Sequence, residues 1–444
     1  MSLWSLVLAT SLAASAGAAI AGEGGSLQGS GQQFSGWCTD RLCQPEQLKP
    51  VMQKLEDRQP VHIMMIGDSL TAGDAISYGW RQELETIYGS TGRGVVDGAR
   101  PYRGYLTRGI DAQASSGWRI NGIFGNAWRG IGSPAVGLSG WTKSTSTAGE
   151  WMTLTAEDAR YTFDRFVLCG QAGPYSGSVM VSMGYESTTI PLYSETSSPM
   201  CHEVRSSSPV QTVMVRTLED KLITINSIGT FRSNGSGVTL TNLGVPGSQL
   251  SHADRKDGST VYTELEAYQP DLVVVAFGTN EGFNPSLDVA AYEANLRSHI
   301  RNLQLQAPAG VPIMLIGPPN AMTRNESVAH AGQEPPIGCE TGLLVPGNLR
   351  HIATIQRQVA QEMGLTFWDW GMAMGGPCAM YAWREAGLTA RDAIHIKKEG
   401  GERLGAILTS DIFTAFGMAG APAAQALPTP SPYPVNGTGV EIIR

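Results

Sequence analysis

Short apolar runs alternate with helical patterns in two separated parts of this chain. Residues 61–66 (VHIMMI) are nearly all apolar and stop at Gly67, which is typical of a buried parallel strand. Further strands of this kind are predicted at 238–242, 271–277, 311–316 and 365–369. Helices, with apolar residues on one face, are predicted at 78–88, 287–306, 348–363 and 398–416. Alternating strands and helices predict an α/β domain with a parallel sheet and helices on both faces.

The stretch 108–235 has a different pattern. It is rich in Ser, Thr, Gly and aromatic residues, and its short runs alternate between apolar and polar positions, as in 151–155 and 178–182. Five or more such strands, separated by turn residues, predict a β-sandwich. Because the α/β pattern resumes at 238–242, we expect the sandwich to be inserted into an α/β domain that spans 55–107 and 236–420.

The two ends of the chain carry patterns of their own. Residues 1–22 hold no charged side chain, are apolar over 3–12 and end in small residues (AIA at 19–21), which indicates a signal peptide without a basic start. A linker and N-terminal segment is expected at 23–54, and a Pro-rich tail at 421–444. No later segment reaches the apolar length of a membrane span. We therefore expect a secreted or periplasmic protein.

Composition excludes several classes. The chain of 444 residues is 42% hydrophobic and 16% charged, which argues against disorder and against an all-charged coiled coil. Its 31 Lys and Arg against 39 Asp and Glu give a net charge of −8, which argues against a nucleic-acid partner. No Cys or His spacing fits zinc, so no metal is expected.

The six cysteines predict local disulfides, because an exported chain can keep them oxidised. Six cysteines allow many pairings. Neighbours along the chain are the preferred partners, that is, Cys38 with Cys43, Cys169 with Cys201, and Cys339 with Cys378.

The candidate catalytic residues lie in short motifs at the ends of predicted strands and in loops. The first strand continues directly into 67–73 (GDSLTAG), which puts Ser69 at a carboxyl strand end, where open α/β sheets bind ligands. Thr71 stands where the nucleophile elbow of α/β hydrolases has its second glycine, so the motif is a different one. Three more blocks follow in order at 242–247 (NLGVPG), 278–281 (GTNE) and 392–395 (DAIH).

Together these four blocks resemble the GDSL, or SGNH, hydrolase family, which is named for its Ser, Gly, Asn and His. The resemblance covers about 55–90 and 237–416, the whole predicted α/β part. It implies a three-layer α/β/α SGNH-hydrolase fold and hydrolysis of acyl esters without a metal or organic cofactor.

The resemblance also implies a role for each matching residue. Ser69 would be the nucleophile, His395 its general base, and Asp392 the group that orients the imidazole. The backbone N–H groups of Ser69 and Gly247 and the side-chain amide of Asn280 would form the oxyanion hole. Three other residues of these blocks are predicted to bind substrate: Asp68, Thr279 and Glu281.

Two glycines compete for one place in that oxyanion hole. In the second block, Gly244 is the alternative to Gly247, which lies just beyond the predicted strand. Gly247 is preferred, because the family's donor sits beyond the strand.

A closer resemblance is to the bacterial peptidoglycan O-acetylesterase type, which has an inserted β domain similar to a carbohydrate-binding module. The blocks at 67–74 (GDSLTAGD) and 278–281 (GTNE), and the stretch 367–378, are similar to this type. One departure is Leu70, where many of these enzymes have His after the serine. The resemblance predicts an exported serine esterase that removes O-acetyl groups from a glycan, with acetylated peptidoglycan as the expected substrate.

The insert is also rich in tryptophan, with four of the ten tryptophans of the chain within 34 residues: Trp118, Trp128, Trp141 and Trp151. Exposed rings would offer flat apolar faces to sugars. Core packing is the simpler explanation for any one of them.

Several other functions share these features. The chain could act on another acetylated polysaccharide, or as a broad carboxylesterase or lipase, although it lacks a long apolar lid. It could also be a glycan-binding protein on an inactive esterase scaffold, against which the complete set of Ser, Gly, Asn, Asp and His argues. An O-acetyltransferase can use the same triad, because the acceptor that reaches the acyl group decides the product.

Overall fold

The computed structural model describes residues 38–39, 41–130, 134–418 and 427–428. The predicted signal peptide and most of the predicted Pro-rich tail lie outside these residues, as does part of the predicted linker. Over the described ranges, no helix has the length and apolar character needed to cross a membrane.

The first part of the chain supplies an inner strand of the main sheet and helices that pack on it. Its elements are β1 (Cys38–Thr39), β2 (Leu42–Cys43), α1 (Lys49–Glu56), β3 (Pro60–Gly67), α2 (Ser69–Ala72) and α3 (Ile76–Tyr88). All residues of β3 except Pro60 are buried, as the apolar run at 61–66 predicts. Alternate side chains of β3 enter opposite cores, Ile63 and Met65 on one face, and Met64 and Ile66 on the other.

The middle of the chain is almost entirely β-structure. Its strands are β4 (Gly94–Val96), β5 (Ile110–Ala114), β6 (Arg119–Gly122), β7 (Trp141–Thr145), β8 (Trp151–Ala156), β9 (Phe163–Ala172), β10 (Ser178–Met183), β11 (Glu186–Pro191), β12 (Ser198–Val210), β13 (Thr212–Thr217) and β14 (Ile223–Phe231). They form one sheet in the order β11-β10-β13-β8-β5 and a second in the order β12-β9-β14-β7-β6. One apolar core contains side chains of both sheets, such as Val179, Val215, Phe166 and Ile225. The predicted β-sandwich insert is confirmed.

The last part of the chain returns to alternating strands and helices. Its elements are β15 (Gly237–Gly244), α4 (Gly258–Tyr268), β16 (Leu272–Ala276), α5 (Thr279–Gly282), α6 (Val289–Gln306), β17 (Ile313–Ile316), α7 (Glu326–Ala329), β18 (Ile337–Gly338), β19 (Leu344–Val345), α8 (Gly347–Met363), β20 (Thr366–Trp368), α9 (Trp370–Ala373), α10 (Ala379–Glu385) and α11 (Lys398–Phe416). Helices α1, α3 and α11 contribute to the core on one face of the sheet, and α4 and α6 to the core on the other. The three-layer α/β/α prediction is therefore confirmed.

The order of the main sheet decides where the strand ends meet. The sheet runs β1-β2-β20-β17-β16-β3-β15, and its pairs from β20 to β15 are parallel. Gly67 of β3 pairs with Gly244 of β15 on one side and with Ala276 of β16 on the other. Because these three carboxyl ends are level, the loops that follow them lie beside one another.

One short strand of the sandwich precedes the predicted start of the insert. Strand β4 pairs with β14, with Val96 opposite Ile228. The exact limits of the insert, at 108 and 235, remain predictions.

The structure contains the three preferred disulfides. Cys38 is bonded to Cys43, Cys169 to Cys201, and Cys339 to Cys378. Cys169 and Cys201 lie opposite each other on β9 and β12, so this bond joins two strands of the insert.

Two of the four clustered tryptophans are core residues. Trp118 is 8% exposed and packs in the shared sandwich core, while Trp141 is 6% exposed in a separate small apolar cluster. Trp128 and Trp151 are partly exposed. The core interpretation is thus confirmed for Trp118 and Trp141.

Candidate active site

Ser69 is the first residue of α2, directly beyond the carboxyl end of β3. Asp68 caps this helix, and its Oδ1 accepts a hydrogen bond of 2.9 Å from the N–H of Leu70. The cap fixes the turn between strand and helix. Ser69 itself is partly exposed at the level edge of the sheet.

His395 reaches this edge from the loop that precedes α11. Its Nε2 lies 3.0 Å from Ser69 Oγ, and its Nδ1 lies 2.7 Å from Asp392 Oδ2. The other carboxylate oxygen of Asp392 accepts from the backbone N–H groups of Ile394 and His395, at 2.9 and 3.0 Å. The structure therefore joins the three predicted residues in one line of hydrogen bonds.

The backbone between Asp392 and His395 makes this arrangement possible. Ala393 has a φ of +58°, in the left-handed region, and its carbonyl oxygen accepts from the N–H of Met322. The resulting tight turn puts both side chains on one side of the loop, about half exposed at 44% and 45%.

The charge on Asp392 determines which imidazole nitrogen holds the proton. Partial burial alone would raise the pKa of Asp392, but hydrogen bonds from the N–H and imidazole of His395 and from Ile394 lower it below its usual value. An ionised carboxylate holds the proton on Nδ1, which leaves the Nε2 lone pair facing Ser69 Oγ. This is the geometry of a general base beside a nucleophile.

The two remaining blocks meet beside Ser69. Asn280 lies on α5, directly after β16, and its Nδ2 donates to the carbonyl oxygen of Ser248 at 2.9 Å. Gln249 Nε2 donates in return to the carbonyl of Asn280 at 3.3 Å. One of the two amide hydrogens of Asn280 is thus used to tie the blocks together, and a second is left to donate.

Gly244 and Gly247 have different surroundings. A Cβ on Gly244 would lie 2.0 Å from the backbone nitrogen of Ala72, so this glycine permits α2 to pass closely over β15. Gly247 has a φ of +75°, beyond the strand end, which favours glycine. These surroundings support the preference for Gly247 as a donor.

The three residues predicted to bind substrate are buried. Asp68 is 1% exposed, Thr279 5% and Glu281 3%. Glu281 Oε1 accepts from the N–H of Leu250 at 2.6 Å, in the loop after Gly247. Because they are buried, the structure does not support direct contact of these residues with substrate. They lie beneath the site and stabilise its loops.

Burial also controls the charge of two of these groups. It raises the pKa of Asp68 to about 7, despite the opposing hydrogen bond from Leu70, and it raises the pKa of Glu281 as well. Glu281 adds to the shift of Asp68, because the two carboxyl groups repel each other when ionised.

A buried ion cluster next to Ser69 was missed by the sequence reasoning. Asp74 Oδ2 lies 3.2 Å from Arg81 and 3.5 Å from Arg93, and all three side chains are almost completely buried. Asn242 donates to Asp74 Oδ1 at 3.1 Å and to the carbonyl of Thr71 at 2.6 Å. The available signal was an Asp and an Arg of opposite charge, Asp74 and Arg81, close together in a stretch with few other charges.

Two open grooves of the described surface lie away from Ser69. These grooves, of about 560 and 720 Å³, surround Pro312 and the amino end of the sheet, and Ser69 lines neither. Over the described ranges, no group of three or more His, Cys, Asp and Glu side chains is placed to hold a metal ion. The candidate site is therefore identified by the hydrogen-bonded side chains of Ser69, His395 and Asp392 at the carboxyl edge of the main sheet.

Comparison with known proteins agrees with this fold. Residues 229–403 match the model of the GDSL-like lipase/acylhydrolase family. A solved structure described as a peptidoglycan O-acetylesterase in action is similar with a TM-score of 0.67 and 24% identity, over 83% of this chain and 95% of that chain. At this identity the likeness shows a shared fold. No curated protein matches the chain.

Two other solved structures are less similar. A family two carbohydrate esterase from Clostridium thermocellum, in complex with cellohexaose, has a TM-score of 0.28 and 11% identity, over 68% of this chain and 99% of that chain. A carbohydrate-binding module from Cellvibrio mixtus lichenase 5A, in complex with cellotriose, has a TM-score of 0.18 and 13% identity, over 28% of this chain and 91% of that chain. Neither likeness is strong enough to carry an argument. Residues 229–403 are thus similar to the GDSL-like lipase/acylhydrolase family, and this match, together with the shared fold, supports a carboxylic ester hydrolase.

Proposed function

We propose that this protein is an exported serine esterase that removes O-acetyl groups from a glycan, with O-acetylated peptidoglycan as its substrate. The observation that carries the proposal is the line of hydrogen bonds from Asp392 through His395 to Ser69 Oγ. A nucleophile, a base and an orienting carboxylate in this order suit acyl transfer.

In the first half of the reaction, Ser69 Oγ attacks the acetyl carbonyl carbon while His395 Nε2 accepts the hydroxyl proton. Asp392 stabilises the imidazolium that forms. The tetrahedral intermediate collapses when the bond to the sugar oxygen breaks, and His395 returns the proton to that oxygen. The products are an acetyl-Ser69 ester and a free sugar hydroxyl.

In the second half, water attacks the acetyl-Ser69 ester and gives its proton to His395. The bond between the acetyl carbon and Ser69 Oγ breaks, His395 returns its proton to Ser69 Oγ, and acetic acid leaves and ionises to acetate in water. A tetrahedral intermediate with a negative oxygen forms in each half, and the N–H groups of Ser69 and Gly247 and the free amide hydrogen of Asn280 are the proposed donors to that oxygen.

Two further observations support the compartment and the substrate. Three disulfides in the described residues suit an oxidising compartment outside the cytoplasm, in agreement with the predicted signal peptide. The fold shared with a peptidoglycan O-acetylesterase, over nearly all of that chain, favours the acetylated glycan of the cell wall.

The test is acetate release from O-acetylated peptidoglycan, acetylated xylan and an aryl acetate. We expect release from peptidoglycan and from the aryl acetate, and a loss of roughly 10⁴-fold or more in kcat for Ser69→Ala. Ser187→Ala, on an exposed strand of the insert, is the matched control and should act as wild type.

Each outcome bears on a separate part of the proposal. No release by the wild type from any of the three would overturn the esterase. Equal release by Ser69→Ala would overturn the nucleophile. Release from xylan but not from peptidoglycan would overturn the cell-wall substrate.

A further inference from the structure

A ring from the β insert covers the loop that carries Gly247. We call residues 245–252 the Gly247 loop. Phe124 follows β6 of the insert, and a Cβ on Gly247 would lie 2.5 Å from its Cε1. The Phe124 ring therefore rests against the Gly247 backbone, at the one position of the loop that has no side chain of its own to pack.

The same ring also holds the far end of the Gly247 loop. Phe124 stacks on His252, with ring centroids 4.8 Å apart and an angle of 28° between the planes. His252 Nδ1 accepts from the N–H of Gln249 at 3.0 Å. Burial, with the nearby Arg255 charge, lowers the pKa of His252 to about 4, so a neutral imidazole accepts this bond.

The Gly247 loop also contacts Asn280, whose side-chain amide is another proposed oxyanion donor. The carbonyl oxygen of Ser248 holds the side-chain amide of Asn280, and the N–H of Leu250 binds Glu281, the next residue of α5. A displacement of this loop would therefore move Gly247 and Asn280 together.

The insert segment around Phe124 is itself anchored. Arg255 donates to the carbonyl oxygen of Ile123 at 2.8 Å, and its guanidinium lies 4.9 Å from the Trp128 ring. Ile123 and Trp141 of the insert share a buried apolar cluster with Val245 of the Gly247 loop. Phe124 is thus presented on a fixed backbone.

We propose that Phe124 is a positioning residue for the esterase reaction: it keeps the Gly247 N–H and, through the loop, the Asn280 amide aimed at the oxyanion. The insert would then contribute to the hydrolysis of every acetyl ester, including small esters that do not reach a glycan-binding surface. The inference rests on the proposed function. Its physical basis is that oxyanion donors act only when preorganised, and that a misplacement of about 1 Å can cost roughly 10²-fold in rate.

The experiment measures kcat and KM of Phe124→Ala with an aryl acetate. We expect kcat to fall about 10- to 100-fold with KM within about threefold, because the lost interaction operates in the transition state. Phe124→Tyr keeps the ring and should retain most of the wild-type kcat. Tyr175→Ala removes an aromatic ring of the insert that is 81% exposed, and should leave kcat unchanged.

A double-mutant cycle with Asn280→Ala separates positioning from general damage. If Phe124 acts through the oxyanion hole, Asn280→Ala should cost clearly less in the Phe124→Ala background than in the wild type. Fully additive losses would overturn the inference. If Phe124→Ala does not fold, Phe124→Leu takes its place in the same cycle.

The results distinguish this inference from the proposed function. An active wild type with unchanged kcat in Phe124→Ala would overturn the role of Phe124 alone. A wild type that releases no acetate would overturn the proposed function itself.

Discussion

Asp68 and Glu281 put two carboxyl groups beneath the residues that the chemistry is expected to use, one directly before Ser69 and one directly after Asn280. Each uses one oxygen to accept a backbone N–H, from Leu70 and Leu250, and each side chain is almost completely buried. An ionised carboxylate in this environment is costly, so the protonated form of Asp68 is favoured up to about pH 7.

Asp68 should make stability depend on pH. Its pKa is about 7 in the folded protein, against an ordinary aspartate pKa of 3.8 in the unfolded chain, so between these pH values the folded state keeps a proton that the unfolded state releases. The free energy of unfolding should therefore decrease as pH rises from about 4 to 7, by roughly 1.4 kcal/mol per pH unit, and level off above pH 7. Asp68→Asn keeps the acceptor for Leu70 and lacks this decrease.

Urea unfolding of both proteins at pH 4.5, 6.0 and 7.5 measures the effect. We expect Asp68→Asn to gain stability relative to the wild type as pH rises. Glu281 is present in both proteins, so its own raised pKa cancels to first order in the comparison. A difference in stability that stays constant over this range would contradict the buried-carboxyl explanation.

At the scale of elements, the turn from α2 into α3 depends on the Asp74 ion cluster. Asp74 has a positive φ of 44°, and its carboxylate is shared by Arg81 and Arg93. Burial would raise the pKa of Asp74, but the two guanidinium groups lower it below its usual value. Because Asn242 of β15 donates to the same carboxylate, the cluster ties α3 to the sheet beside Ser69.

Asp74→Asn should be strongly destabilising, because it leaves two buried guanidinium groups without their counter-charge. We expect a loss of about 3–5 kcal/mol in the free energy of unfolding. Asp111→Asn removes a carboxylate that is 39% exposed and paired with Arg100, and serves as the matched control with a loss below about 1 kcal/mol. Chemical denaturation at pH 7 measures both, and similar losses in the two variants would contradict the role of the cluster.

At the scale of the whole molecule, disulfides close loops of very different length. The Cys339–Cys378 bond joins cysteines 39 residues apart, whereas Cys38 and Cys43 are only five residues apart. The entropy that a cross-link removes from the unfolded chain increases with loop length. The longer loop should therefore contribute more to stability.

Replacing Cys339 and Cys378 together by Ser should lower the free energy of unfolding by about 3–4 kcal/mol, against about 2 kcal/mol for Cys38 and Cys43. Denaturant midpoints of the two double variants, under oxidising conditions, measure the difference. A larger loss for the five-residue loop would show that native packing, and not loop closure, determines these contributions.

Much of the architecture was predictable because its signals are local. Apolar runs such as 61–66 are followed by turn residues, and alternating runs in 108–235 indicate strands that face a core on one side. The order of the four blocks likewise pointed to Ser69, Gly247, Asn280, Asp392 and His395. Their catalytic roles remain predictions, while the structure places Ser69, Asp392 and His395 within hydrogen-bonding distance of one another.

The sequence by itself determined the main strands and helices and which side chains are candidates for catalysis, because each of these depends on residues close together in the chain. Only the tertiary structure decided that residues 326 positions apart, Ser69 and His395, share a hydrogen bond. It also decided that Asp68 and Glu281 are buried, and that Phe124 of the insert rests on Gly247. Burial and contact between distant segments depend on how layers pack, and no local pattern records that packing.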